Sequence, residues 1–174
     1  MSIDDRLKKI KILIFDVDGV LTDNSVFIGD NGSEYKRFFI ADGLAFYMAR
    51  MAGLKIALLS GRYSPATDSR ARELEVDELF QGNIDKAKVI NDLMGKYRLN
   101  TDEICFMGDD LVDLGAMKVA GVRVSVPSGA SQIKAEADYI TRHEGGRGAV
   151  RELIDMVLTA RGFDVKAFWE GRID

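Results

Sequence analysis

Scarcities come first: the 174 residues include one cysteine, one histidine, one tryptophan and two prolines, and no long apolar run. With only Cys105 present, no intrachain disulfide can form. Set in the run Ile104-Cys105-Phe106-Met107, it reads as a small buried hydrophobe rather than a nucleophile. The sole histidine, His143, sits in a glycine-rich loop and reads as solvated. The apolar stretch at 10–15 is short, is interrupted by Lys11 and runs straight into Asp16 and Asp18. That argues against a signal peptide or a membrane span and makes a reducing cytoplasm the expected location. There is no stripe of positive charge either: 24 Lys and Arg against 28 Asp and Glu give a net charge of −4. Nucleic acid is therefore not expected as a partner, because phosphate-backbone binding depends on clustered cations.

What is present is ordinary for a folded domain, with 47% hydrophobic and 30% charged residues. No linker, repeat or low-complexity segment divides residues 1–174, so a single domain is expected. The runs 10–15, 55–59, 104–107 and 122–126 read as buried strands. Amphipathic segments between them have recognisable ends. Asp42 is expected to cap a helix closing at Gly53, and Ser64-Pro65 to open another. Helices are also expected from Lys86 to Tyr97, before Gly121, and from Ala149 to Gly162. Strand–helix–strand order predicts an α/β fold, a doubly wound parallel sheet. One insert breaks the order: residues 25–40, with Gly29-Asp30-Asn31-Gly32 at their centre, predict a β-hairpin beside the carboxyl ends of the strands. Its Val26, Ile28, Phe38 and Phe39 would need cover.

The chemistry-bearing residues cluster at strand ends. The first strand leads into Asp16-Val17-Asp18-Gly19, and two carboxylates one residue apart can share a crevice or simply form a solvated turn. The run 104–107 leads into Gly108-Asp109-Asp110, with Asp113 just beyond; Asp110 or Asp113 could do no more than cap a helix. In one parallel sheet, Asp16, Asp18 and Asp109 would meet at the same end. Three such carboxylates repel unless a cation lies among them, and an all-oxygen donor set favours Mg²⁺. Ser60-Gly61, after the second strand, offers a hydroxyl and a backbone amide to phosphoryl oxygens. Lys86 opposes its own helix dipole, which a phosphate would compensate, whereas Lys88 reads as surface charge.

In this order the motifs resemble those of the haloacid dehalogenase-like superfamily. Asp16-Val-Asp18-Gly-Val-Leu-Thr-Asp is similar to its first motif, Leu59-Ser60-Gly61 to its second, Lys86 to its third, and Gly108-Asp109-Asp110 with Asp113 to its fourth. The resemblance implies Asp16 as nucleophile, Asp18 as general acid/base, and Ser60 and Lys86 as a phosphate clamp. Mg²⁺ would be held by Asp16, Asp18 through its carbonyl, and Asp109. An acid two residues after the nucleophile implies phosphate-ester hydrolysis. The short inserts leave room for the hairpin but for no large cap. Together with Asp42-Gly43, Ser60-Gly61-Arg62 and residues 141–152, they resemble the 3-deoxy-D-manno-octulosonate (KDO) 8-phosphate phosphatases. That resemblance implies a small phosphorylated sugar acid as substrate, a role in lipopolysaccharide biosynthesis, and a homotetramer in which a neighbouring subunit completes each site. It also implies substrate contacts from Asp18, Asp42, Gly43, Ser60, Gly61, Arg62, Arg70 and Lys86. Phe39, Ala41 and Tyr47 depart from the family pattern. The alternatives are a phosphatase for a nine-carbon nononate 9-phosphate and a non-catalytic subunit of the same fold. The tail 163–174, with Phe168-Trp169, is expected either to pack on its own domain or to enter the neighbour's site.

Overall fold

Parallel strands buried on both faces need apolar side chains at every position, and the four residues Ile12–Phe15 supply them. In the computed structural model, which describes residues 2–82 and 85–171, this run is the central strand β1. In chain order the elements are α1 (Ile3–Leu7), β1 (Ile12–Phe15), β2 (Phe27–Ile28), β3 (Glu34–Tyr35), α2 (Ile40–Met51), β4 (Lys55–Ser60), α3 (Pro65–Leu74) and β5 (Glu78–Gln81). They continue with α4 (Lys86–Tyr97), β6 (Ile104–Met107), α5 (Leu114–Val119), β7 (Val122–Ser125), α6 (Ser131–Glu136), β8 (Tyr139–Ile140), α7 (Ala149–Ala160) and α8 (Val165–Glu170). Six parallel strands form one sheet in the order β5-β4-β1-β6-β7-β8. Leu13 and Phe15 point to the layer holding α2 and α7, while Ile12 and Ile14 point to the layer holding α4 and α5. The expected doubly wound α/β architecture is what the chain adopts.

The register delivers the chemistry. Phe15 lies opposite Leu58 of β4 and Met107 of β6, so the residues following β1, β4 and β6 emerge at one edge. Two strands escaped the sequence reading. β5 has only Leu79 and Phe80 as apolar residues and is half-buried at the sheet edge. β8, the other edge, has two residues.

Three expectations change in detail. The hairpin ladder pairs only Phe27–Ile28 with Glu34–Tyr35, not the whole of 25–40, and Ile40 already opens α2. Its return arm leaves the ladder because its side chains are engaged elsewhere: Lys36 turns inward, and Phe38 packs on the core beneath the Arg70 guanidinium. Asp42 does not cap α2, whose cap position is Phe39; its carboxylate instead accepts the Arg151 amide (2.9 Å) in the first turn of α7. Residues 110–120 divide into a 3₁₀ turn at Leu111–Asp113, capped by Asp110, followed by α5.

The tail folds back on its own chain. Phe168 and Trp169 of α8 stack against Tyr47 of α2, with ring centroids 6.2 and 6.0 Å away. Tyr47, one of the departures from the family pattern, is thus part of the aromatic cluster that seats the tail. Residues 172–174, at the end of the expected tail, lie outside the described residues. Among the described residues, no helix is long and apolar enough to cross a membrane.

Candidate active site

Asp16 follows β1 directly and still belongs to the sheet, its amide donating to the Met107 carbonyl (2.9 Å). After it the chain turns sharply, with the Val17 carbonyl accepting the amides of Leu21 (2.9 Å) and Thr22 (3.2 Å). Gly19 sits in this turn at φ +91°, and a Cβ there would lie 2.0 Å from Asp109 Oδ2. Only glycine satisfies both the backbone angle and that approach, so the first-motif loop rests directly on the Asp109 carboxylate. The loop is braced from the other side by Gly145, where a Cβ would meet the Gly19 carbonyl at 1.8 Å. This gives the glycine-rich stretch before α7 a physical reason that spacing alone did not reveal.

Asp16, Asp109 and Asp113 are all buried, and each places a carboxylate oxygen within 4.8 Å of the others. Lys86, the first residue of α4, reaches into the group. Its Nζ is 2.7 Å from Asp16 Oδ1 and also bonds Asp113 Oδ1. The charge that opposes the α4 dipole is therefore offset by carboxylates, while Asp85 caps the helix through the Lys88 amide (3.1 Å). Asp113 is not idle in this arrangement. Its Oδ2 accepts the amides of Asp109 (2.9 Å) and Asp110 (3.2 Å), which holds the loop after β6 in place. Lys88 pairs with Asp92 at the surface, as expected.

One ammonium does not balance this much negative charge. Burial and the proximity of Asp113 push Asp16 above the usual carboxylate range, although Lys86 pulls it down. Burial, Asp16 and Asp113 push Asp109 up as well. Burial works against the charge on Lys86, but Asp16 and Asp113 more than offset it and hold the ammonium protonated. Asp109 Oδ1 is buried without a hydrogen-bond partner. An oxygen-only group with an orphaned oxygen and excess negative charge suits a hard divalent cation such as Mg²⁺.

Asp18 is directed differently from Asp16. Its Oδ1 lies 2.7 Å from Lys36 Nζ in an ion pair, and both its oxygens are buried without a hydrogen-bond partner. Ser60 is buried at the end of β4, its hydroxyl donating to the Arg62 carbonyl (2.8 Å), while nothing stands where a Gly61 side chain would be. Arg62 pairs with Glu34 of the hairpin at 2.5 Å. The other expected substrate contacts have different partners. Arg70 pairs with Glu73 (2.9 Å) and donates to the Phe39 carbonyl (3.3 Å). It also lies over Gly43, where a Cβ would come within 2.8 Å of its guanidinium. Burial pushes Asp42 up to about 6, even with the Arg151 amide and Arg70 drawing it down. These contacts join the hairpin, α2, α3 and α7; none of them involves Asp16, Asp18 or Asp109.

Two residues to which sequence reading gave no role matter here. Lys36 looks like any charge on a hairpin, yet its side chain is completely buried. Glu152 accepts the Tyr139 hydroxyl (2.6 Å) and the amides of Arg142 and His143 (3.0 Å each). Burial opposes its charge, but these donors hold it at about 2, so it anchors the loop carrying Gly145. His143 itself is largely exposed, and its ring bonds Glu152 (2.8 Å). A cleft of about 860 Å³ lies between this loop and α7, lined by Phe39, Arg142, Arg147 and Arg151 among others. It contains none of the clustered carboxylates.

Comparison with known proteins agrees with this fold. The haloacid dehalogenase-like hydrolase family matches residues 66–154. The 3-deoxy-D-manno-octulosonate 8-phosphate phosphatase of Escherichia coli K12 is 36% identical over 157 residues, covering 90% of this chain and 84% of that protein. The crystal structure of the Moraxella catarrhalis 3-deoxy-D-manno-octulosonate 8-phosphate phosphatase contains magnesium, phosphate and KDO. It superposes with a TM-score of 0.92 at 38% identity, covering 97% of each chain. The cobalt-bound Haemophilus influenzae phosphatase superposes with a TM-score of 0.90 at 35% identity, covering 97% of this chain and 99% of that one.

Proposed function

The chain belongs to the haloacid dehalogenase-like hydrolases, and from that premise we propose that it is a Mg²⁺-dependent phosphatase converting KDO 8-phosphate to KDO and phosphate. The observation that carries the reading is the buried Asp16–Asp109–Asp113 group with Lys86 among its oxygens, at the strand ends of a fold shared over 97% of its length with a KDO 8-phosphate phosphatase.

Asp16 is the nucleophile. Its carboxylate attacks phosphorus, and the bond to the sugar oxygen breaks, leaving an aspartyl-phosphate. Asp18 gives the departing oxygen a proton, then takes one from the water that opens the acyl phosphate. Lys86 holds Asp16 in line and places a positive charge beside the incoming phosphoryl group. Ser60 and the Gly61 amide stand at the end of β4 to receive phosphoryl oxygens. Asp16, the Asp18 carbonyl and Asp109 would hold Mg²⁺, which would supply the charge neutralisation that attack of a carboxylate on a phosphate needs. Asp113 and Asp110 keep the Asp109 loop in shape.

The substrate contacts expected of Arg62, Arg70, Asp42 and Gly43 belong to an assembled protein. The hairpin and its surroundings leave Ile28 66% and Ile40 86% exposed, together with Phe27 and Tyr35, more apolar surface than a lone protomer keeps in water. A homotetramer burying these residues, with each site completed by a neighbour, accounts for that surface. Light scattering should give four times the 19.3 kDa chain mass; a monomer at micromolar concentration contradicts the assembly. A cytoplasmic location fits a chain whose lone thiol, Cys105, is buried and unpaired.

The reading is tested by phosphate release from KDO 8-phosphate and from a nononate 9-phosphate, each with Mg²⁺ and with EDTA. Mg²⁺-dependent turnover that favours the octulosonate is expected. Preference for the nononate moves the substrate to the nine-carbon class. Hydrolysis of neither, with p-nitrophenyl phosphate still cleaved, retains the chemistry and refutes the substrate.

A further inference from the structure

We infer that Lys36 is the positioning residue of the acid–base carboxylate: it ties one oxygen of Asp18 and leaves the other aimed at the leaving group. The inference rests on the phosphatase reading above. Lysine is almost never fully buried without a partner, and Lys36 has a side chain with no exposure at all. Its neighbour Arg37 shows the ordinary alternative, pairing with Asp23 at 2.6 Å while remaining 45% exposed.

Three groups receive the Lys36 ammonium. Asp18 Oδ1 lies at 2.7 Å, Thr67 Oγ1 of α3 accepts at 3.2 Å, and Glu34 Oε1 stands at 3.9 Å. Glu34 is itself fixed by Arg62. A continuous polar chain thus runs from Asp18 through the hairpin to the residue after Ser60-Gly61, joining the first and second motifs. The return arm leaves its ladder at the point where Lys36 turns inward. The ion pair engages Asp18 Oδ1, and neither Asp18 oxygen has a hydrogen-bond partner besides, which leaves Oδ2 as the oxygen free to exchange a proton. The site therefore contains two buried lysines with separate duties: Lys86 orders the nucleophile and Lys36 orders the acid. A carboxylate that must protonate a departing oxygen gains from a fixed direction, because misplacement of a catalytic group costs rate steeply.

The test compares leaving groups. An alkoxide needs a proton to depart, whereas p-nitrophenolate does not, so an error in Asp18 placement should appear with the first and not the second. Wild type, Lys36→Met and Thr67→Val are compared as full-length protein with Mg²⁺. The values compared are kcat/KM, which report formation of the aspartyl-phosphate, for p-nitrophenyl phosphate and for whichever of KDO 8-phosphate and nononate 9-phosphate wild type cleaves better. Lys36→Met should lose about 10²-fold on the sugar phosphate and less than about 5-fold on p-nitrophenyl phosphate. Thr67→Val keeps the side-chain shape and removes one acceptor, so it should show the same selective loss on a smaller scale. Should Lys36→Met fail to fold, Thr67→Val alone decides. Equal losses on both substrates, or an unchanged ratio, assign Lys36 a structural role and overturn the inference while the phosphatase reading stands. Wild type inert toward every phosphate ester would overturn the phosphatase reading itself, and the inference with it.

Discussion

Asp16→Asn should lower turnover by about 10⁴-fold or more and leave the protein folded, at least as stable as wild type when Mg²⁺ is absent. The catalytic half follows from chemistry. An amide of the same shape cannot form the acyl phosphate, and losing a covalent nucleophile removes the route rather than slowing it; 10⁴-fold is about 5.5 kcal/mol of barrier. The stability half follows from charge. Asp16 is buried beside Asp109 and Asp113, and burial and repulsion hold its pKa above the unfolded value. A carboxylate raised in this way destabilises the folded state at neutral pH, so replacing it with a neutral isostere removes a penalty. Lys86 keeps Asp113 as its partner. Melting curves with EDTA and with Mg²⁺ check both halves, and the stabilisation that Mg²⁺ gives wild type should shrink in the variant. A variant that melts well below wild type in EDTA would mean the Asp16 carboxylate is structural.

Lys86→Met should behave in the opposite manner on stability. Removing the ammonium leaves Asp16 and Asp113 buried without their counter-charge. Breaking one side of a buried ion pair costs about 3–5 kcal/mol, so the loss in EDTA should be of that order. Mg²⁺ should restore part of it by taking over the counter-charge. Turnover should fall about 10²- to 10³-fold even when the metal is saturating, because a preorganised charge beside the reacting phosphoryl group is gone. The two substitutions therefore separate by their signatures. Asp16→Asn loses activity without stability, while Lys86→Met loses both, with the stability loss dependent on metal. If Lys86→Met were as stable as wild type in EDTA, the charge account of the acidic group would be wrong.

These effects trace to features that differ in how plainly the sequence carries them. The central strands announce themselves because a parallel strand buried on both faces must be apolar throughout, as 12–15 and 104–107 are. The edge strands β5 and β8 do not, since half-burial relaxes that demand. Asp16, Asp109 and Lys86 were legible because each follows or opens an element whose end the sheet order brings to one place. Asp113 was legible as a possible cap and as part of the fourth motif, but its bond to Lys86 depends on a loop conformation that no periodicity encodes. Lys36 was hidden for another reason. A lysine next to an arginine on a hairpin reads as surface charge, and only the return arm's departure from its ladder turns it inward. Asp42 was legible as helix-associated but assigned to the wrong helix, because capping by a residue from another element leaves no local signature.

The most direct test of the covalent phosphatase is rapid acid quench of Asp18→Asn with p-nitrophenyl phosphate and Mg²⁺, followed by mass spectrometry of the Asp16 peptide. This leaving group departs without a proton, so the first half-reaction proceeds while the second, lacking its base, is slow. The account predicts that one phosphoryl group accumulates on Asp16 with Mg²⁺ and none with EDTA. Nitrophenolate and phosphate released together, with no label on Asp16 at any quench time, would contradict it.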